Sequence, residues 1–529
     1  LGLIDKIFSG TSLAGFVSHR NLYLLGLVGI MCGLAWSHAL LSIGQFVLLG
    51  NALLELDFKL KWKRLKSQPL FWVLIGLFLL HLLSILWSTN LDYWFKDLRN
   101  KLPLIVLPLI IASSKPIQKQ EWSLLIKVYL LTLFILSGFS LNRLLSDAFL
   151  DKRELAINIS HIRYGLNICF GIALLAYSNI NLKPWLRLTL ALWFLICLFI
   201  FQLYTGLIIA LLLMVLSIVR YFFIKKRLIP RLLILFSFLA VIVASTFWLK
   251  SVYSTYAAEV PTSYNQELPK KQNINGSRFY HKMDDKQSTN GVYIWRYIAY
   301  KELYKAWNKR SKIDIKGKDK KGQSIASTLI RYLSSKGLTK DSLGVSKLSE
   351  RDIKAIEEGV ANYKYLDQNK VENRIHDVWY EIEMYRDHGY ASGYSMVMRW
   401  IYWKTAFKII SKNIWFGVGS GDVNDLFLAQ YIADDSNLEM KYRRRSHNQY
   451  LAIWVGLGLF GLLYFLFSLI FPLWHIPKGR HLMYMAFFVI ACLSFLTEDT
   501  LETQAGVTFF AAFNSLILLG LRDQDHTSR

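Results

Sequence analysis

The chain has 529 residues, 53% of them hydrophobic, with a mean hydropathy of +0.30 and a formal net charge of +25. Such totals exclude an ordinary soluble enzyme and a disordered chain, and they point to a polytopic membrane protein. The Lys and Arg residues gather in connections between apolar runs, where they set topology and meet anionic headgroups. A nucleic-acid partner is therefore not expected, and a lipid phosphate or diphosphate is.

Leu1 to Arg20 alternates apolar and polar residues and suits the membrane interface. Apolar runs follow at 22–36, 39–55, 69–87, 102–113, 122–141, 160–178, 185–201, 204–224 and 231–249, then at 449–471, 481–496 and 504–521. Since roughly 20 residues cross a bilayer as a helix, the reading is about twelve transmembrane helices. The first run lacks a small-residue cleavage site and reads as a retained span. The 102–113 run is short and bounded by prolines, as a tilted, broken or re-entrant segment would be. Cys32, Cys169, Cys197 and Cys492 all lie inside apolar runs, so neither a disulfide framework nor a C-x-x-C metal pair is expected.

Charge gives the orientation. Lys59, Lys61, Lys63, Arg64 and Lys66 crowd one connection, Arg220, Lys225, Lys226, Arg227 and Arg231 another, and Lys478 with Arg480 a third; the positive-inside rule places all three in the cytoplasm. The intervening connections balance cations with acids or carry acids alone, as at Glu498, Asp499 and Glu502, which are expected to pair with loop lysines. Residues 1–250 thus form an N-terminal bundle of about nine spans, 251–446 an extracytoplasmic, mostly helical domain, and 447–529 about three spans with a short cytoplasmic tail. Within the soluble block, Val292 to Trp307 and Leu348 to Tyr365 carry helical periodicity, while Asn273 to Asn290 reads as a mobile loop. Trp87, Trp94, Trp248 and Tyr253 read as an interfacial belt. Asp523-Gln524-Asp525 matches a D-x-D pattern but reads as a solvated tail.

The stretch from Ser395 to Leu451 carries the densest chemistry. Arg399 lies on an aromatic-rich amphipathic segment, Trp400 to Ile410, that suits the interface. Gly417, Gly419 and Gly421, followed by Asp422, form a turn that lets backbone approach closely; no strand precedes it and no Lys-Ser/Thr follows, so it is no nucleotide loop. Arg443-Arg444-Arg445 leads into Ser446-His447-Asn448-Gln449-Tyr450-Leu451, where Ser446 and Gln449 read as a capping box that starts a helix at His447. Free N–H groups there would seat a phosphate and keep His447 neutral and able to accept a proton. Arg445 is the member of its run expected to face a ligand, the others headgroups.

These residues resemble the O-antigen ligase and polymerase family: Arg399, then Gly417-Val418-Gly419-Ser420-Gly421-Asp422, then Arg445 through Leu451. The likeness is strongest over about 395–465 and extends weakly to His161-Ile162-Arg163-Tyr164 and Tyr204-Thr205-Gly206. The long loop, with Asn290-Gly291-Val292-Tyr293 and Thr328 to Leu333, looks like a branch from Bacteroidetes-type bacteria. The resemblance implies an all-α, GT-C-like, multi-pass protein of the bacterial inner membrane with a large periplasmic loop and a periplasmic active site. It implies a glycosyltransferase that moves a glycan from undecaprenyl diphosphate to a hydroxyl of lipid A-core or of another glycan. His447 takes the family's catalytic histidine position and Arg399 its loop arginine. A second family arginine precedes Thr-Gly; here Tyr204 stands there, so Arg163 or Arg445 is expected to supply the charge. Asn448 and Tyr450 are expected to shape the site.

Transfer from a diphosphate-linked sugar needs a base for the acceptor hydroxyl and fixed positive charge for a leaving group that is already good. No carboxylate pair and no metal are expected, and direct attack inverts the anomeric carbon. A polysaccharide polymerase on the same scaffold is the alternative. A lipid-linked glycan transporter is a further one, but it calls for ionisable groups at mid-span depth and inverted repeats, which are not evident.

Overall fold

In lipid only a helix satisfies every backbone N–H and C=O within its own segment, so apolar runs of this kind fold as helices. The computed structural model describes residues 18–146, 155–156, 159–224, 228–256, 271–285, 287–320, 322–366, 370–476 and 478–521, and it is mostly helical with almost no strand. Leu1 to Val17 of the interfacial segment, Lys225 to Arg227 and the Asp523 to Asp525 tail lie outside the described residues. Two compact units result: Leu1–Tyr221 with Ala391–Arg529, and Phe222–Tyr390.

The first unit begins with α1 (His19–Trp36) and α2 (His38–Leu54), joined at Ser37. They approach closely because Gly29 faces Gly44, a Cβ at Gly29 falling only 3.1 Å from the Gly44 Cα. Next come α3 (Phe58–Lys66), bent 112° from α2, then α4 (Pro69–Leu83), α5 (Leu91–Lys101), α6 (Pro103–Ser113), α7 (Lys119–Leu145), α8 (His161–Tyr177), α9 (Pro184–Ile200) and α10 (Tyr204–Ile224). The second unit holds α11 (Leu228–Tyr256), the short hairpin β1 (Ser288–Thr289) and β2 (Val292–Tyr293), α12 (Tyr300–Arg310), α13 (Ile325–Ser335), α14 (Ser342–Ser346), α15 (Glu350–Glu357) and α16 (Lys370–His388). The chain then returns to the first unit with α17 (Ser395–Lys412), α18 (Val423–Ala433), α19 (Gln449–Ile470), α20 (His481–Thr497) and α21 (Gln504–Ser515).

The core of the first unit is aromatic where α7, α8, α20 and α21 meet. Phe170 stands edge-on to Phe513 with centroids 4.4 Å apart, and Tyr129 and Phe487 close the cluster. Basic residues of the connections cap helix ends as well as biasing topology. Arg64 donates to the Ser113 carbonyl at 2.8 Å at the end of α6, and Arg480 donates to the Ile517 and Leu521 carbonyls at 3.0 and 2.6 Å beyond α21. Carbonyls at a helix C-terminus have no partner of their own, and a cation there also meets the negative end of the dipole.

Among the described residues three helices are long and apolar enough to cross a membrane, Pro69–Leu86, Lys119–Leu145 and Gln449–Trp474; α2 with α3 makes a fourth if the bent pair counts as one. Pro184–Ile200, Tyr204–Val215, His481–Thr497 and Gln504–Gly520 are apolar but shorter. The 102–113 run is an 11-residue helix with Pro103 at its start and Pro108 inside, in keeping with its brevity in sequence.

The second unit has its own core, built on Trp307, Leu329, Tyr332, Leu333 and Ile356. Asn273 to Asn290 is no bare loop. Asn273 and Asn275 both donate to Glu302, and the stretch ends in the hairpin, where Asn290 and Gly291 take φ of +49° and +80° as the tight turn demands. Val292 to Trp307 likewise starts as strand and becomes helical only from Tyr300, because Tyr297 adopts φ +59°. Within this core Lys340 is 1% exposed; its ammonium reaches the Tyr293 carbonyl at 3.1 Å, and no carboxylate among the described residues pairs with it. Burial pulls its pKa down to about 7. The unfolded chain therefore holds the proton more tightly between about pH 7 and the usual lysine value, so the unit loses stability as pH falls through that window. Lys340→Met should stabilise the unit, with a larger gain at pH 6 than at pH 10, read as slowed hydrogen exchange of the α13 amides.

Candidate functional site

The segment that leads into α19 is held from three sides by aromatic side chains. The Tyr402 hydroxyl donates to the Tyr442 carbonyl at 2.6 Å, the Tyr431 hydroxyl to the Arg444 carbonyl at 2.7 Å, and the Trp403 indole to the Ser446 carbonyl at 3.1 Å. These bonds hold the carbonyls of Tyr442, Arg444 and Ser446 outside the helix. His447 accordingly adopts φ +46°, and α19 starts two residues later than the capping-box reading places it. Asn448 is the cap: its amide oxygen accepts from the Leu451 N–H at 3.1 Å and its NH2 donates to the Leu496 carbonyl at 3.2 Å. Ser446 instead donates its hydroxyl to the Asn448 carbonyl at 3.0 Å.

His447 therefore faces carboxylates rather than bare helix N–H groups, which reverses the electrostatic surroundings expected from sequence. Its Nδ1 is 3.3 Å from Glu498 Oε2 and 3.7 Å from Asp499 Oδ1, and its ring lies against Tyr402 with centroids 5.6 Å apart. The Arg399 guanidinium, coming from α17, donates to the other oxygen of Glu498 at 3.3 Å. Arg399 and His447, distant in sequence, thus share one carboxylate. Arg445 donates to Glu502 at 3.1 Å and approaches Asp499 at 3.9 Å. Arg163, at the start of α8, lies within electrostatic reach of both Glu498 and Asp499. The acidic turn after α20 does pair, but with these arginines, His447 and Lys101 rather than with loop lysines.

Beneath this rim lies a charged network. Lys101, 1% exposed, is 2.6 Å from Asp97 and 2.9 Å from Glu502, which also takes the Arg445 bond. Burial works to raise the Glu502 carboxyl, yet Lys101 and Arg445 together hold it well below the usual carboxylate range. Asp97 goes the other way, pushed up to about 6 by burial with the neighbouring Glu502 charge, against the pull of Lys101. Gln449 completes the turn, its amide oxygen accepting from the Leu501 N–H at 2.7 Å. A small cavity is lined by His81, Asp97, Lys101, Ser420, Arg445 and Glu502, on the Arg445 side of the site rather than at His447. Sequence reading missed Lys101, Asp97 and the true partners of Glu502; Asp97 and Lys101 one helical turn apart on an amphipathic stretch were the available signal.

The glycine-rich loop has a structural role. α19 breaks at Gly458, which has φ +69°. The backbone freed there is met by the loop: Val418 N–H donates to Val455 O and Gly419 N–H to Gly456 O, both at 2.9 Å, and Leu459 N–H donates to Ile414 O at 2.7 Å. A Cβ on Gly417 would come within 2.5 Å of the Gly458 nitrogen, on Gly419 within 2.4 Å of Ser88 Oγ, and on Gly421 within 2.4 Å of the Asn90 carbonyl. Asp422 clamps the chain on the far side, accepting from the Thr89 N–H at 2.8 Å, the Thr89 hydroxyl at 2.8 Å and the Asn90 N–H at 2.7 Å. These four residues shape the scaffold beneath the site.

Tyr450 turns away from the acidic turn, donating to the Cys492 carbonyl at 3.3 Å and packing on Phe465 and Phe495. Tyr204 stands half-exposed at the start of α10, beside a small pocket with His161, Thr205 and Gly206 that none of the Glu498 cluster lines. Arg443 donates its guanidinium N–H groups to the Leu438 and Ser436 carbonyls, while Arg444 is exposed, as a headgroup-facing residue would be. Trp94 is 2% exposed and donates to the His81 carbonyl at 3.1 Å, so it is a core residue rather than part of an interfacial belt. His447, Glu498 and Asp499 bring possible metal-ligand atoms within 4.8 Å of one another. The two carboxylates also face guanidinium groups, Glu498 that of Arg399 at 3.3 Å and Asp499 that of Arg445 at 3.9 Å.

A family model described as O-antigen ligase matches residues 369–466. The matched stretch contains Arg399, the glycine-rich loop, Arg445 and His447; the acidic turn at 498–502 lies beyond it. No curated protein matches the chain. Lys101→Met should lower stability by about 3–5 kcal/mol, because it leaves buried Asp97 without a cation and Glu502 with Arg445 alone, and thermal unfolding of the detergent-purified protein measures the loss.

Proposed function

We propose that this chain is a membrane glycosyltransferase of the O-antigen ligase type, acting at the periplasmic face of a bacterial inner membrane. The donor is a glycan on undecaprenyl diphosphate, and the acceptor is a hydroxyl of lipid A-core or of another glycan. One observation carries the reading: Arg399 and His447 meet on a single carboxylate at the mouth of the helical unit. Residues 1–250 and 447–529 supply about twelve membrane segments, several of them short or broken, and 251–446 lies outside the membrane.

In the reaction the acceptor hydroxyl gives its proton to His447, and its oxygen forms a bond to the anomeric carbon. The bond from that carbon to the diphosphate oxygen breaks, and the electron pair leaves with undecaprenyl diphosphate. Arg399 and Arg445, with Arg163 nearby, take up the negative charge; a guanidinium's planar fork suits phosphate oxygens better than an ammonium does. Arg163 and Arg445 fill the role that Tyr204 cannot. The product is inverted at the anomeric carbon.

His447→Ala should abolish glycan transfer by the purified protein while leaving its amount in the membrane unchanged, and Arg399→Lys should reduce transfer by at least about tenfold, since a point charge cannot replace the fork. Normal transfer by His447→Ala would remove the base from this scheme. Since guanidinium groups supply the cationic charge, transfer is expected to survive chelation, measured as the initial rate with and without EDTA. Deleting the gene should leave long lipid-linked chains unattached; accumulation of single lipid-linked units would identify a polymerase instead.

A further inference from the structure

Glu498 touches both proposed functional side chains, one with each oxygen. We infer that it is a positioning residue that sets the proton of His447 on Nδ1 and holds the Arg399 guanidinium until the donor diphosphate displaces it. This inference rests on the reading of His447 as the base.

A neutral imidazole donates from one nitrogen and accepts at the other, and an ionised carboxylate only accepts. Glu498 Oε2, 3.3 Å from Nδ1, therefore selects the tautomer protonated there and leaves Nε2 with its lone pair. Tyr402 limits ring rotation from one face. The left-handed backbone at His447 is costly for a residue with a side chain, and it persists because the neighbouring carbonyls and the Asn448 cap hold it. Glu498 is itself well anchored: its N–H donates to the Ser494 carbonyl at 2.9 Å at the end of α20.

The two ends of the acidic turn differ in a way that separates their roles. The Glu502 side chain is 7% exposed and bonded at 2.9 Å to a buried ammonium. Glu498 is 23% exposed, and its two contacts are both long, at 3.3 Å. A diphosphate offers Arg399 shorter, bidentate bonds in place of one long one. Once Arg399 turns to the donor, Glu498 keeps His447 alone, and its charge is free to stabilise the imidazolium that forms when the acceptor proton arrives.

The charged and titratable groups around His447 are Glu498 and Asp499 from the turn after α20, Arg399 and Tyr402 from α17, Arg445 through Asp499, and Arg163 from α8. Glu498→Gln removes one negative charge from this set and leaves the rest. With undecaprenyl-diphosphate-linked glycan as the donor and the full-length protein in membranes, kcat should fall about 10–100-fold with donor KM unchanged or lower. The acid limb of the pH–rate profile should move to lower pH, and Glu498→Asp should recover part of the rate. A purely structural role would lower the thermal midpoint and leave the acid limb in place, which overturns the inference. Wild-type kcat and pH profile in Glu498→Gln, alongside an inactive His447→Ala, overturns it too and leaves the base assignment standing. An active His447→Ala removes the base assignment and this inference with it.

Discussion

An ammonium cut off from water has to be met by negative charge, and in this protein that requirement organises the site. Lys101 is buried at the end of α5, and its two carboxylates come from its own helix and from the turn between α20 and α21. The pair is no gain over an apolar core; desolvation takes back most of what attraction supplies. Its value is geometric. By fixing Glu502, Lys101 fixes the turn, and the turn sets where Glu498 and Asp499 point. Arg399 from α17, and Arg445 and His447 from the segment that leads into α19, then settle on those carboxylates. The chemistry at the rim inherits its alignment from an ion pair that takes no part in it.

A second constraint acts from below. α19 carries the catalytic-candidate segment at its N-terminus and is broken at Gly458. Backbone groups freed by such a break must find partners inside protein, because lipid offers none. The loop from Ile414 to Gly419 supplies them, and Asp422 and Ser420 tie that loop to the end of α4 and the start of α5. Helix α5 therefore connects to the site twice, through Lys101 above and through the glycine-rich loop below.

The sequence was most legible where chemistry and local pattern coincide. Apolar runs mark α1, α2, α4, α6 to α11 and α19 to α21, whereas α3 and α5 lie in charged connections that carry no such run; Arg399 and His447 come together in the sequence only through the family resemblance of their motifs. The start of α19 was misplaced because Ser446-x-x-Gln449 satisfies a local capping rule, whereas Tyr402, Trp403 and Tyr431 hold the preceding carbonyls from a distance that no local rule contains. For the same reason Gln449 looked like a capping residue when its amide in fact serves Glu502 and Leu501. The acidic turn was visible as charge, but its partners are 51 to 401 residues away and carry no spacing signal. The number of crossings was the weakest inference. Apolar composition marks a helix as lipid-compatible, but helices of 17 residues or fewer, such as α9 and α20, fall short of the length that would identify a crossing on their own.

The pairing of Lys101 with Glu502 also bears on biosynthesis. The two residues are separated by 401 positions, so the ribosome delivers the ammonium long before its second carboxylate. Until α20 and the turn after it are made, Lys101 has Asp97 to offset its charge, and α5 is amphipathic enough to wait at the bilayer surface. Burial of α5 is then a late event, completed when the turn between α20 and α21 packs against it. A turn made 401 positions after Lys101 becomes the keystone that locks α5 in place.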